Sequence, residues 1–166
     1  MRSIFRPRSY AQRRTSSRIA DARLPIFDGG GAAQYGGRWN SPGRRVIYGS
    51  LSFAGALLEQ LARAQIGILP RGQQWVSFHL GPDVRIEAPA SEDVPQWDAP
   101  DDVAARVYGD AWYDAQRSVA LIVPSMVGRP VERNILLNQG HPNFVRVAVS
   151  EVLPLEWDDR LRERNA

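Results

Sequence analysis

Gly36-Gly37-Arg38-Trp39-Asn40-Ser41-Pro42-Gly43, then Val46-Ile47-Tyr48 and then Glu59, is the stretch from which the rest of the chain can be read. It sets a guanidinium, a phenol and a carboxylate at near-even spacing, joined by tight turns. Two glycines before Arg38 allow close backbone approach and unusual dihedrals. An arginine fork can grip a phosphate bidentately, or it can clamp a carboxylate within the turn. Trp39 reads as core or as a wall of a cleft, and Asn40 as a side chain able to hold the turn. Tyr48 closes a short strand, where its ring could pack on a ligand or simply carry a wet hydroxyl.

Working outward, Ser52 to Gln65 has helical periodicity, with Phe53, Ala54, Leu57, Leu58 and Leu61 as its apolar stripe. At 100° per residue, Glu59 lies about 150° from that stripe. Gly55 and Ala56, four and three residues earlier, leave room above it for a ligand. Arg63 at i+4 offers the plainer alternative of an exposed ion pair, worth about 0.3–0.5 kcal/mol.

The chain has 166 residues and is 43% apolar, which suits one packed domain over 1–166. All 21 basic side chains are arginine, yet the net charge is only +3. The pI of 9.8 overstates the basic character, because little titrates between neutral pH and that value. A nucleic-acid stripe is not expected without clustering of these arginines. Zero cysteine excludes disulfides, thiolate nucleophiles and cysteine metal sites. No apolar run reaches the ~18 residues of a membrane span, and Met1 to Arg6 is too polar and short for a signal segment. A cytoplasmic location is the expectation.

Residues 1–34 read as irregular, with a short strand at Ile4-Phe5-Arg6, a solvated or helical stretch from Arg13 to Arg18, and a mobile Asp28–Gly31 loop. Gln74 to Leu80 alternates as a strand, with Val76, Phe78 and Leu80 on one face. Val84 to Glu87 is expected to pair with it. A helix is expected from Asp98 and Pro100 toward Trp112, supported by Val103, Val107 and Ala111. Ser118 to Val123 is a buried strand ended by Pro124-Ser125. Glu132 to Leu137 and Phe144 to Val149 complete the strands.

Ser125 sits at a strand end without a G-x-S-x-G elbow, so it reads as a positioning residue or a cap rather than a nucleophile. His79 and His141 lack metal-ligand spacing, and no metal is expected. The Gly29–Gly31 and Gly128-Arg129 stretches fit neither a dinucleotide-binding nor a phosphate-loop pattern.

The ordered blocks Phe5-Arg6, Gly37-Arg38-Trp39-Asn40 to Gly43, Val46-Ile47-Tyr48, Ala56-Leu57-Leu58-Glu59, Val123-Pro124-Ser125, Asn134 through Asn138 and His141-Pro142 together resemble the RES domain. That family is named for its arginine, glutamate and serine motifs. The resemblance implies an α+β fold, a mixed sheet with flanking helices similar to ADP-ribosyltransferases. It implies a bacterial toxin that cleaves the nicotinamide–ribose bond of NAD, with water or phosphate as acceptor, or that transfers ADP-ribose to a protein. The partner it implies is an antitoxin with a helix-turn-helix region, whose C-terminal part blocks the active site. Apolar strand edges are compatible with a homodimer or a toxin–antitoxin hetero-oligomer.

On this resemblance Arg38 and Arg6 face the NAD phosphates, and Tyr48 positions the nicotinamide or its ribose. Glu59 binds ribose hydroxyls and stabilises the oxocarbenium-like centre, and Ser125 orients the reacting end. Asn40 is a further substrate contact, and Asn138 and His141 contact either the substrate or the residues that hold it. The competing class is a non-enzymatic interaction module in which Arg38 and Glu59 form a structural ion pair.

Overall fold

The computed structural model describes residues 14–64 and 68–161. Among the described residues eight strands form one sheet: β1 (Thr15–Asp21), β2 (Val46–Ser50), β3 (Gln73–Leu80), β4 (Ile86–Glu87), β5 (Ala120–Pro124), β6 (Arg133–Asn138), β7 (Val147–Val149) and β8 (Leu153–Pro154). Three α-helices of the described residues flank it: α1 (Gly30–Tyr35), α2 (Phe53–Arg63) and α3 (Val103–Asp114). The strand order is β4-β5-β6-β2-β1-β3-β7, with β8 paired to β3 beside β7. β4 runs parallel to β5 and the remaining pairs are antiparallel, so the sheet is mixed. This is the α+β architecture expected from the sequence.

The pleat divides the core into two. One face carries Ile47, Phe78, Leu80, Ile122, Ile135 and Leu137, covered by Phe27 and Phe144. The other carries Val46, Leu121, Val123 and Leu136, covered by Trp39, Trp97 and Trp112. Strand β5 is buried at all five positions because both faces are covered. Strand β3 alternates as its sequence predicts, with Val76, Phe78 and Leu80 buried.

Several expectations change. The part of the arginine-rich stretch within the described residues is neither helical nor irregular: Thr15–Asp21 forms the long strand β1, paired with β3 over seven residues. Gly30 and Gly31 open helix α1 instead of lying in a loop; the Asp28 carboxylate accepts from the Gly30 amide at 2.9 Å and holds the start in place. β4 pairs with β5, not with β3. Helix α3 begins at Val103, three residues beyond Pro100. Phe144 lies in a 3-10 turn (Pro142–Arg146), so only Val147–Val149 is strand. Ile4 and Phe5 lie outside the described residues.

Both long helices also turn their conspicuous apolar stripes outward. On α2 the buried positions are Gly55 and Ala56, while Phe53 and Leu58 are exposed. On α3 they are Ala105, Gly109 and Trp112, while Val103 and Val107 are exposed. Small residues win the inward face because they let a helix backbone approach closely. A Cβ on Gly109 would stand only 1.8 Å from the Trp39 carbonyl oxygen. Ser52 caps α2, its hydroxyl accepting from the Gly55 amide at 2.9 Å.

Candidate functional site

The Gly36–Gly43 loop is built from the inside. Gly37 and Asn40 exchange backbone hydrogen bonds in a tight bridge. Asn40 is fully buried, and its amide nitrogen donates to the Ala32 and Ser41 carbonyls at 3.0 Å each. The Tyr48 hydroxyl donates to Asn40 Oδ1 at 2.7 Å and accepts from the Trp39 amide at 3.2 Å. Gly37 is needed here because a Cβ would reach within 2.7 Å of that hydroxyl. Burial pushes the Tyr48 hydroxyl well above its usual pKa, so it stays neutral. Asn40 and the Tyr48 hydroxyl are thus engaged in holding the loop, while the Tyr48 ring lines the cleft beside it.

Arg38 is engaged too. Its guanidinium pairs with Asp102 at 2.6 Å and donates to the Trp97 and Ala99 carbonyls at 3.2 and 3.0 Å. It borders the cleft, but it ties the loop to the segment preceding α3. The ion pair with Glu59 allowed by the sequence is not formed; the partner is Asp102.

Glu59 faces the sheet from α2. Its Oε1 accepts from Ser125 Oγ at 2.9 Å and from Asn134 Nδ2 at 2.7 Å. Ser125 is buried and also accepts from the Gly128 amide at 3.1 Å. Its one proton and an acceptor site are both engaged, which removes the character of a free nucleophile. The alternative Glu59–Arg63 pair is not among the ion pairs of the described residues.

Arg18, in the stretch expected to be solvated or helical, comes into the same cleft from β1. It donates to the Ile26 and Tyr48 carbonyls, both at 2.5 Å. No carboxylate of the described residues forms a salt bridge with it. Burial first, and the neighbouring Arg63 second, lower its pKa to about 10, with Asp28 acting in the opposite direction.

An inner recess of about 40 Å³ is lined by Arg18, Tyr48, Ser50, Glu59, Arg63 and Asn134. It shares Arg18, Tyr48, Glu59, Arg63 and Asn134 with a wider cleft of about 560 Å³ that runs past Tyr35, Arg38 and Trp39. The inner recess therefore offers one carboxylate and two guanidinium groups beside the Tyr48 ring, and the wider cleft adds Asp28 and Arg38, a combination suited to an anion carrying a nearby cationic centre.

The remaining expected contacts lie elsewhere. Asn138 is buried, donating to the Tyr113 carbonyl at 3.1 Å and accepting from the Gly140 amide at 3.0 Å. His141 caps the 3-10 turn by accepting from the Asn143 amide at 3.1 Å. Neither lines the cleft. Arg6 lies outside the described residues. Among the described residues no group of three His, Asp or Glu is placed to hold a metal ion.

The RES domain family model matches residues 13–158. The chain belongs to the RES domain family. Its RES domain is 34% identical over 154 residues to the Prs ADP-ribosylating toxin of a Sphingobium species, covering 87% of this chain and 94% of the relative. It is 33% identical over 140 residues to Toxin Res of Yersinia enterocolitica, covering 82% and 90% respectively. The same RES fold recurs in the Mycobacterium tuberculosis MbcT-MbcA toxin-antitoxin complex, with a TM-score of 0.65 at 18% identity over 86% of this chain and 84% of that one.

The matched RES segment begins after Phe5-Arg6, so the opening element at those two residues falls outside it, whereas Arg18 falls inside. Sequence reasoning passed over Arg18 because an arginine in an arginine-rich run looks solvated. The available signal was its place in Ser16-Ser17-Arg18-Ile19, where small and apolar neighbours suit a strand. Asn134 lay within a quoted block but had no separate chemical signal.

Proposed function

We propose that this RES domain, spanning 1–166, is the toxin of a toxin–antitoxin pair acting in the cytoplasm, and that it cleaves the nicotinamide–ribose bond of NAD. The observation that carries this reading is the convergence of Glu59 with Arg18 and Arg63 on one cleft. Arg18 and Arg63 hold the pyrophosphate, and Arg38 shapes the wall beside it. Glu59 accepts from the ribose hydroxyls and faces the positive charge that develops at the anomeric carbon. Nicotinamide leaves with the bonding electron pair and is neutral once released, so no acid partner is required. Water or phosphate then bonds to the anomeric carbon; water loses a proton in doing so. Stabilising the oxocarbenium-like state more than bound NAD is what accelerates the step.

Purified protein with NAD, with and without phosphate, tests this reading. Nicotinamide release with free ADP-ribose identifies water as acceptor, and ADP-ribose 1″-phosphate identifies phosphate. Folded wild-type protein that releases no nicotinamide in either mixture would exclude the proposal. Transfer to a protein is a second reading, favoured by the ADP-ribosylating activity in the name of the Sphingobium relative. A labelled protein band from labelled NAD and cell extract, absent with Glu59→Gln, would support it. The fold shared with a toxin-antitoxin complex supports an antitoxin partner; a helix-turn-helix protein encoded beside the toxin is the expected candidate.

Arg18→Leu should weaken ADP-ribose binding by about 10- to 100-fold, since hydrogen bonds to charged groups contribute about 1.5–3 kcal/mol. Calorimetric titration measures it, with circular dichroism confirming the fold. The pH dependence has a defined sign. Arg18 is cationic below about 10, so its contribution to anion binding is full at neutral pH and fades as pH rises through that value. Wild-type affinity should therefore fall in that window, and the Arg18→Leu variant should lose that part of the pH dependence.

A further inference from the structure

Ser50 and Asn134 stand directly opposite each other on the antiparallel strands β2 and β6. Ser50 is buried, and its hydroxyl donates to Asn134 Oδ1 at 2.9 Å. The other end of the same amide donates to Glu59 Oε1 at 2.7 Å. A carboxylate only accepts, so it draws the NH2 end of the amide toward itself. That leaves the amide oxygen facing Ser50, which answers with its proton. The three side chains form a directional chain of hydrogen bonds, each polarising the next.

We infer that Asn134 is a positioning residue for Glu59, with Ser50 holding the far end of its amide. The inference rests on the proposed NAD-cleaving role of Glu59. Two donors from separate parts of the sheet, Asn134 on β6 and Ser125 just after β5, converge on Oε1. Neither engages Oε2, which is left for the ribose and the developing cation. Without Asn134 the carboxylate can swing about its remaining bond to Ser125, and its placement against the anomeric carbon becomes loose. Without Ser50 a buried carbonyl oxygen loses its partner, and the amide is less well held.

The test is kinetic. Asn134→Ala is expected to lower kcat roughly 10- to 100-fold, by analogy with loss of the group that orients a metal ligand, with KM changed much less. The loss should disappear in the Glu59→Gln background, where there is no charge left to position. Ser50→Ala should show a weaker version of the same pattern. Wild-type kcat in Asn134→Ala, or an equal loss in both backgrounds, overturns the inference.

Asn134→Asp covers the case in which the alanine variant fails to fold, because it keeps the shape. Two carboxyls in contact share a proton and titrate as a pair, one step being raised. The acid limb of the kcat profile should then move to higher pH, as direct contact between the two side chains requires. Should wild-type protein release no nicotinamide, the NAD reading fails by itself. Carbon-13 titration of the Glu59 carboxyl still decides the contact. A coupled titration in Asn134→Asp upholds the arrangement, and a curve identical to wild type overturns it.

Discussion

Glu59→Gln is expected to lower nicotinamide release by at least about 100-fold in kcat while leaving the protein folded. The amide keeps the shape of the carboxyl, and its carbonyl oxygen can still accept from Ser125 and Asn134 in place of Oε1. What disappears is the negative charge facing the anomeric carbon. Removing one preorganised electrostatic partner of a developing charge costs about 10²–10³ in rate elsewhere. Because Arg18 and Arg63 remain, KM should change by only a few-fold, placing the deficit in the transition state. The measurement is steady-state nicotinamide release alongside a thermal melt. A variant retaining more than about a tenth of wild-type kcat would remove Glu59 from the reaction. Glutamine is a cleaner probe than alanine, which would leave both buried donors without an acceptor.

Gly109→Ala should have the largest structural effect. Its Cβ would meet the Trp39 carbonyl oxygen at 1.8 Å and the carbonyl carbon at 2.8 Å. Both belong to backbone, so no side chain can rotate away. Either α3 lifts from the sheet or the Gly36–Gly43 loop shifts. Overpacking of a well-filled core costs about 1–3 kcal/mol, and backbone contacts this short belong at or beyond the upper end. For a protein of this size each kcal/mol lowers Tm by about 2–4 °C, so a fall of about 10 °C or loss of soluble protein is expected. Thermal denaturation checks it, and an unchanged Tm would contradict the seating of α3 on Trp39. Any surviving folded fraction should also lose activity, because displacing Trp39 moves Arg38 with it.

The sheet was largely legible from short-range patterns. Strands β2, β3, β5 and β6 are apolar runs or alternations bounded by turns, and the helix that carries Glu59 follows from its periodicity. Two kinds of information were not local. The first is which helix face turns inward. Periodicity pointed to Leu57 and Leu58 on α2 and to Val107 on α3. The structure instead seats α2 through Gly55 and Ala56, and α3 through Ala105 and Gly109 beside the buried Trp112, because close backbone approach outweighs side-chain bulk at those small residues. The second is what each charged side chain meets. Arg38 looked like the phosphate grip, yet Asp102 lies 64 positions away in sequence and claims it. Arg18 looked solvated, yet β1 carries it into a cleft where no carboxylate of the described residues bridges it. Asn40, Asn138 and His141 stand in recognisable motifs, but Asn138 and His141 meet backbone groups, and Asn40 meets backbone carbonyls and the Tyr48 hydroxyl, in contacts that hold turns and loops.

The double engagement of Ser125 has a bearing on inhibitor chemistry. An organophosphorus or sulfonyl warhead needs a hydroxyl whose oxygen is accessible and whose proton can depart. Here the hydroxyl is tied up in its hydrogen bond to Glu59, the Gly128 amide occupies the oxygen, and the side chain is buried. Reagents designed for serine hydrolases would find no purchase at this serine. A reversible compound that sets a cation against Glu59 and an anion against Arg18, with a flat group along the Tyr48 wall, matches what the cleft presents.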